Sequence, residues 1–122
     1  MNPSIDVLVI DDNELHLQYM KDLLTSHGYH TDILPDSAQA IEIIMTMNPK
    51  LIILDIMMPG MDGFTILKRI RDNPKLKPIP VIIYTSKAYT VDQKKAMFLG
   101  ANSFLVKPVK GAVIIEEVKK YL

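Results

Sequence analysis

The chain has 122 residues, 48% of them hydrophobic, and its 14 basic and 14 acidic side chains cancel to a formal net charge of zero. That length suits one domain with a genuine core, and the balanced charge lacks the basic excess that nonspecific binding to nucleic acid or an anionic membrane requires. There is no cysteine, which excludes disulfides, thiolate metal sites and thiol chemistry.

Taken in chain order, residues 5–10 form an apolar, strand-like run that ends in Asp11-Asp12. A helix follows, with Leu17, Met20 and Leu24 on one face, widened by Tyr19 and Leu23, and Gly28 placed to end it in a left-handed position. Residues 30–34, His30 to Leu34, are a weaker strand candidate. Asp36 with Gln39 has the spacing of a capping box. It opens a second helix with Ala40, Ile41, Ile44 and Met45 on its face, stopped by Asn48-Pro49. The run Leu51-Ile52-Ile53-Leu54 predicts a third strand, closed by Asp55. A third helix uses Phe64, Leu67 and Ile70 and stops at Asn73-Pro74. Residues 74–80, with Pro74, Pro78 and Pro80, read as a loop leading into a fourth strand over 79–84. Thr90 with Gln93 has capping-box spacing ahead of a short fourth helix over 91–99, with a weak stripe of Ala96, Met97 and Leu99 before Gly100. A fifth strand over 103–106 precedes Lys107, and Ile114, Ile115, Val118 and Leu122 stripe a last helix.

Five such strand–helix units imply an α/β domain, a parallel sheet covered by helices on both faces. Met1-Asn2-Pro3-Ser4 lacks the basic start of a leader, and no apolar run approaches bilayer-spanning length. A cytoplasmic protein is expected, with no membrane insertion and no direct contact with nucleic acid.

Ligands of open α/β sheets bind beyond the carboxyl ends of the strands. Here Asp11 and Asp12 follow the first strand, Asp55 the third, Thr85 the fourth and Lys107 the fifth. A lone carboxylate at the exit of an apolar strand is costly to desolvate unless something uses it. Three carboxylates converging on one edge repel one another and call for a cation. Oxygen ligands suit a hard ion such as Mg2+. With the metal bound, Asp55 can attack a phosphoryl group and hold it as an acyl phosphate. Mg2+ then neutralises one phosphoryl oxygen, Lys107 a second, and the Thr85 hydroxyl hydrogen-bonds a third.

On these residues the chain resembles the receiver domains of response regulators in two-component signal transduction, of the chemotaxis-regulator type. The likeness rests on Asp11-Asp12, on Asp55 with Met58-Pro59-Gly60-Met61-Asp62-Gly63, on Thr85, on Gly100-Ala101 and on Lys107-Pro108. It implies a flavodoxin-like, doubly wound (βα)5 fold with strand order 2-1-3-4-5. It implies Asp55 as phosphoacceptor. Asp12 and Asp55 are then direct Mg2+ ligands with the main-chain carbonyl of Met57, and Asp11 acts largely through water. Thr85 is the implied switch hydroxyl and Phe104 the switch aromatic, and Lys107-Pro108 is a candidate cis bond. The implied partners are a sensor histidine kinase or phosphotransfer protein as donor and an unidentified downstream protein. Phosphorylation would change partner binding through the face of the fourth helix, fifth strand and fifth helix, in a monomer or a phosphorylation-dependent dimer. The expected chemistry is self-catalysed phosphorylation and dephosphorylation only, not that of an enzyme. Residues 1–122 are expected to be a single receiver domain with no output domain in this chain.

Some positions depart from the commonest pattern of that family. Ser86 follows Thr85 where alanine is usual, Phe104 lacks a tyrosine hydroxyl, and Asn102 replaces a frequent acidic residue near the fifth strand, a replacement expected to matter little. Met57 and Lys87 stand two residues beyond Asp55 and Thr85. Asp12 as a simple N-cap is the bland alternative to a metal role. The methionines read as core filler, except that Met57, Met58 and Met61 cluster near the site. His16, His27 and His30 lack ligand spacing with the carboxylates and read as surface or packing residues. Two functional alternatives stand beside the switch. One is a phosphohydrolase with an aspartyl nucleophile, which commonly needs an acid where Met57 stands. The other is a receiver-like adaptor that binds partners without phosphorylation.

Overall fold

Strands built wholly from apolar residues need cover on both faces, and this chain supplies it with helices between successive strands. The structure is a computed structural model that describes residues 5–87 and 89–122; the tetrapeptide Met1-Asn2-Pro3-Ser4 read above lies outside the described residues. The elements run β1 (Val7–Ile10), α1 (Glu14–Ser26), β2 (Thr31–Leu34), α2 (Ala40–Met47), β3 (Leu51–Leu54), α3 (Gly63–Asp72), β4 (Val81–Thr85), α4 (Thr90–Leu99), β5 (Ser103–Val106) and α5 (Gly111–Lys119). All strand pairs are parallel, in the expected order β2-β1-β3-β4-β5. Among the described residues no helix is long and apolar enough to cross a membrane.

Strand alternation sorts the core into two layers. Val7, Val9 and Ile53 face Leu17, Met20 and Leu24 of α1 and Ile114, Ile115 and Val118 of α5. Leu8, Ile10, Ile52 and Leu54 face the opposite side, packing with Ala40 and Ile44 of α2, Phe64, Leu67 and Ile70 of α3, and Ala96 of α4. The predicted stripes therefore hold at their centres. Tyr19, Met45, Met97 and Leu122 instead lie on exposed margins. The methionines are only partly core filler: Met20 and Met58 are buried, whereas Met45, Met57 and Met97 are exposed.

Several boundaries differ from expectation, each for a local reason. Asn13, not Asp12, caps α1, its Oδ1 accepting from the His16 amide at 3.1 Å. The Asp36 carboxylate is taken by the Ala38 amide at 2.9 Å in a turn, so α2 starts only after Gln39 and the Asp36–Gln39 capping box does not form. The Thr90–Gln93 box is also absent, because the Tyr89 carbonyl already accepts from Asp92 and Gln93, which puts Thr90 inside the helix. β4 begins at Val81 and runs to Thr85, since Pro80 has no amide to pair and Arg71 occupies the Ile79 carbonyl. Gly28 (φ +87°) and Gly100 (φ +109°) end α1 and α4 in the left-handed region as expected.

Asn102 has a structural role, and it uses an oxygen that an acidic residue would also supply. The Arg71 guanidinium, at the end of α3, donates to the carbonyls of Gly100 (2.9 Å), Lys77 (3.1 Å) and Ile79 (2.8 Å) and to Asn102 Oδ1 (2.9 Å). Asn102 Oδ1 also accepts from the Val81 amide at 2.8 Å, tying the starts of β4 and β5 to α3. Arg71→Met removes every one of these donors and leaves half-buried carbonyls unpaired. The expected loss is about 2 kcal/mol in urea unfolding. A loss below about 0.5 kcal/mol, the scale of ordinary surface substitutions, would mean that water replaces the clamp.

Candidate functional site

The register of β1 against β3 pairs Ile10 with Leu54, so the next residues, Asp11 and Asp55, leave the sheet side by side. The Asp55 amide donates to the Ile10 carbonyl at 3.0 Å. This is where the chain reverses direction across the sheet, the place at which open α/β folds bind ligands. Asp11 and Asp55 are only 5% and 6% exposed, while Asp12 is exposed; one oxygen from each of the three lies within 4.8 Å of the others. Local turns orient the two buried carboxylates. Asp11 Oδ1 accepts from the Asn13 amide at 3.0 Å and Asp55 Oδ1 from the Met57 amide at 2.9 Å.

From β5, one residue past the Thr85–Val106 pairing, Lys107 turns into this cluster. Its Nζ donates to Asp11 Oδ2 at 2.5 Å and to Asp55 Oδ2 at 3.1 Å and lies 5.4 Å from the centre of the Tyr84 ring. Burial alone lowers its pKa, but hydrogen bonds and charge from Asp11 and Asp55 outweigh that, and the net shift is upward. The lysine is therefore a fixed cation. Three carboxylates against one ammonium leave the cluster short of positive charge, and an all-oxygen donor set is the kind a hard divalent cation takes. The Lys107-Pro108 bond is cis, as expected.

The remaining expected residues sit around this core. An open cavity of about 190 Å³ is lined by Asp11, Asp12, Asp55, Lys107, Met57 and Ser86, with His16 at its wall. Thr85 is fully buried and does not line the cavity; its Oγ1 accepts from the Lys87 amide at 3.2 Å. Ser86 lines it instead, its hydroxyl donating to Met57 Sδ at 3.6 Å. Phe104 stands beside Ile83 on β5, half-buried against the layer under α2, α3 and α4. Behind the cluster, a Cβ on Gly63 would lie 2.3 Å from the Asp55 carbonyl oxygen and 2.5 Å from Ile56 Cα, so only glycine fits there.

His16 is exposed, as the sequence reading expects of a surface residue, with 51% of its side chain accessible, yet its Nδ1 lies 3.1 Å from Lys107 Nζ and 3.8 Å from Asp11 Oδ2. The signal that could have found it is the cap. With Asn13 as N-cap, His16 falls in the first turn of α1, directly beside the end of β1. His27 is exposed and, among the described residues, bonded only to its own turn, in keeping with a surface residue.

Comparison with known proteins bears on this arrangement. The family model of the response regulator receiver domain matches residues 7–119. Response regulator PleD of Caulobacter vibrioides is 33% identical over 116 residues, covering 95% of this chain and 26% of PleD, so the chain spans about a quarter of that relative. Polar-differentiation response regulator DivK of Brucella ovis is 31% identical over 116 residues, 95% of this chain and 94% of DivK. Chemotaxis protein CheY4 of Vibrio cholerae superposes with a TM-score of 0.90 at 25% identity, covering 98% of this chain and 100% of that one.

Proposed function

The chain belongs to the response regulator receiver domain family of two-component signalling, and from that membership we propose that Asp55 is the residue that accepts the phosphoryl group. The observation that carries this reading is the placement of Asp55: a buried carboxylate at the floor of an open cavity, already bonded to a fixed ammonium. The donor is a phosphohistidine of a sensor histidine kinase or phosphotransfer protein, acting in the cytoplasm. A bond forms between an Asp55 carboxylate oxygen and phosphorus while the donor's P–N bond breaks; the electron pair stays on the ring nitrogen that carried phosphorus, and the donor leaves as neutral imidazole with its other nitrogen protonated.

Asp12, Asp55 and the Met57 carbonyl would hold Mg2+, with Asp11 behind a water. When bound, the cation neutralises the carboxylates and one phosphoryl oxygen, which is the charge compensation phosphoryl transfer needs. Lys107 donates to a second oxygen. The Thr85 hydroxyl, freed from the Lys87 amide, donates to a third. Phe104 then repacks and the α4-β5-α5 face changes its affinity for a downstream protein or a second copy. The exposure of Tyr89, Val91 and Phe98 on and beside α4 supports that choice of face. Uptake and hydrolysis are self-catalysed, without turnover of an external substrate. Met57 has no proton to give a leaving group, which counts against the phosphohydrolase alternative.

Incubation of the full chain with phosphoramidate tests this by intact mass. A single phosphoryl adduct is expected with Mg2+ and none when EDTA removes divalent ions. An adduct formed equally well in EDTA, or none in Mg2+, contradicts the reading.

A further inference from the structure

We propose that His16 is a positioning residue for phosphoryl transfer, holding the Lys107 ammonium so that one N–H bond is aimed at the oxygens arriving on Asp55; this rests on Asp55 being the phosphoacceptor. An ammonium has three N–H donors and no lone pair. Lys107 Nζ has three acceptors among the described residues: Asp11 Oδ2 at 2.5 Å, Asp55 Oδ2 at 3.1 Å and His16 Nδ1 at 3.1 Å. His16 Nδ1 must therefore accept, which puts the imidazole proton on Nε2. Once Asp55 is phosphorylated, its negative charge moves out onto the phosphoryl oxygens. The Asp11 and His16 bonds remain, and two fixed N–H directions on a tetrahedral nitrogen determine the third.

The His16 main chain is fixed by the cap, its backbone amide donating to the Asn13 side chain at 3.1 Å. Its ring also stands between two cavities. On one side is the carboxylate cavity; on the other is a space of about 240 Å³ walled by Tyr19, Tyr84 and Pro108, which also reaches Lys107. Without the imidazole, the lysine stem can swing into that second space and away from the phosphorus.

Three variants separate positioning from bulk structure. His16→Leu keeps an apolar side chain but has no acceptor. His16→Asn places Oδ1 where Nδ1 stands relative to Cβ, and His16→Gln places its acceptor one bond further out. With phosphoramidate and Mg2+, His16→Leu is expected to slow phosphorylation about tenfold, the effect of one hydrogen bond to a charged group. His16→Asn restores most of the lost rate and His16→Gln does not, with thermal midpoints unchanged across the set. In ¹H–¹⁵N spectra recorded without any phosphodonor, a slowly exchanging Lys107 ammonium resonance is expected in the wild type and in His16→Asn but lost in His16→Leu. A His16→Leu rate within about twofold of wild type, less than one such bond supplies, would overturn the proposal. So would an asparagine variant as slow as the leucine one, or an ammonium resonance indifferent to the substitution. A wild-type chain inert to phosphodonor overturns the phosphoacceptor reading instead, because the resonance is read independently of it.

Discussion

Lys107→Met is expected to destabilise the fold by about 3 kcal/mol when divalent ions are absent, and to slow phosphorylation about a hundredfold. The stability loss follows from what is left behind. Asp11 and Asp55 are 5% and 6% exposed, and Lys107 is bonded to both. A buried pair that loses one partner leaves an uncompensated charge, which is more damaging than the intact pair is stabilising. Mg2+ should recover most of the loss in the variant, since it supplies the missing positive charge to the same oxygens. Urea unfolding in EDTA and in Mg2+ checks both statements. A variant as stable as wild type in EDTA would mean that the carboxylates do not depend on the lysine.

The same pair sets a pH dependence with a definite sign. The folded pKa of Lys107 lies above its ordinary value of 10.5. Its contribution is thus fully present below that ordinary value and is lost as pH rises through the higher folded one. The stability difference between wild type and Lys107→Met, measured in EDTA, should hold across neutral pH and shrink on the alkaline side.

Gly63→Ala is the second large effect, at about 3 kcal/mol. The added Cβ would meet the Asp55 carbonyl oxygen at 2.3 Å and Ile56 Cα at 2.5 Å, both main-chain atoms that no rotamer change can move aside. Either the first turn of α3 lifts or the residues after β3 shift, and Asp55 is carried with them. Loss of stability should therefore be accompanied by slower phosphorylation, although Gly63 touches no substrate. Gly111→Ala is the matched control. There the nearest atoms are the side-chain ends of Leu23 and Tyr19 at 3.1 and 3.2 Å, which can yield. Its effect is expected to stay within about 0.5 kcal/mol. Equal thermal midpoints for the two variants would remove the steric argument.

The parts of the fold legible in the sequence are those where one physical demand dominates. Leu51-Ile52-Ile53-Leu54, short and apolar on both faces, reads as a strand buried on both sides with the acid that follows at its exit, and the structure has it so; the same holds for Val7–Ile10 and Asp11. Helix stripes were readable because burial repeats with the helical period, as in Leu17, Met20 and Leu24. Helix starts were not, because the Asp36 carboxylate and the Tyr89 carbonyl have more than one local partner within reach and spacing alone does not choose between them.

Contacts between distant segments were the least visible. His16 and Lys107 are 91 residues apart, and no periodicity links the first turn of α1 to the end of β5. Arg71 reaches Asn102 across 31 residues, a bond that no local pattern announces. Gly63 enters the sequence reading only as the end of the run Met58-Pro59-Gly60-Met61-Asp62-Gly63, yet its requirement is the close approach of the chain just after β3.

Tandem mass spectrometry of the chain after brief exposure to phosphoramidate and Mg2+, run beside Asp55→Asn, tests the whole account most directly. A phosphoryl group confined to the Asp55 peptide and missing from the variant is the predicted result. Its appearance on another residue, or its survival in Asp55→Asn, would contradict it.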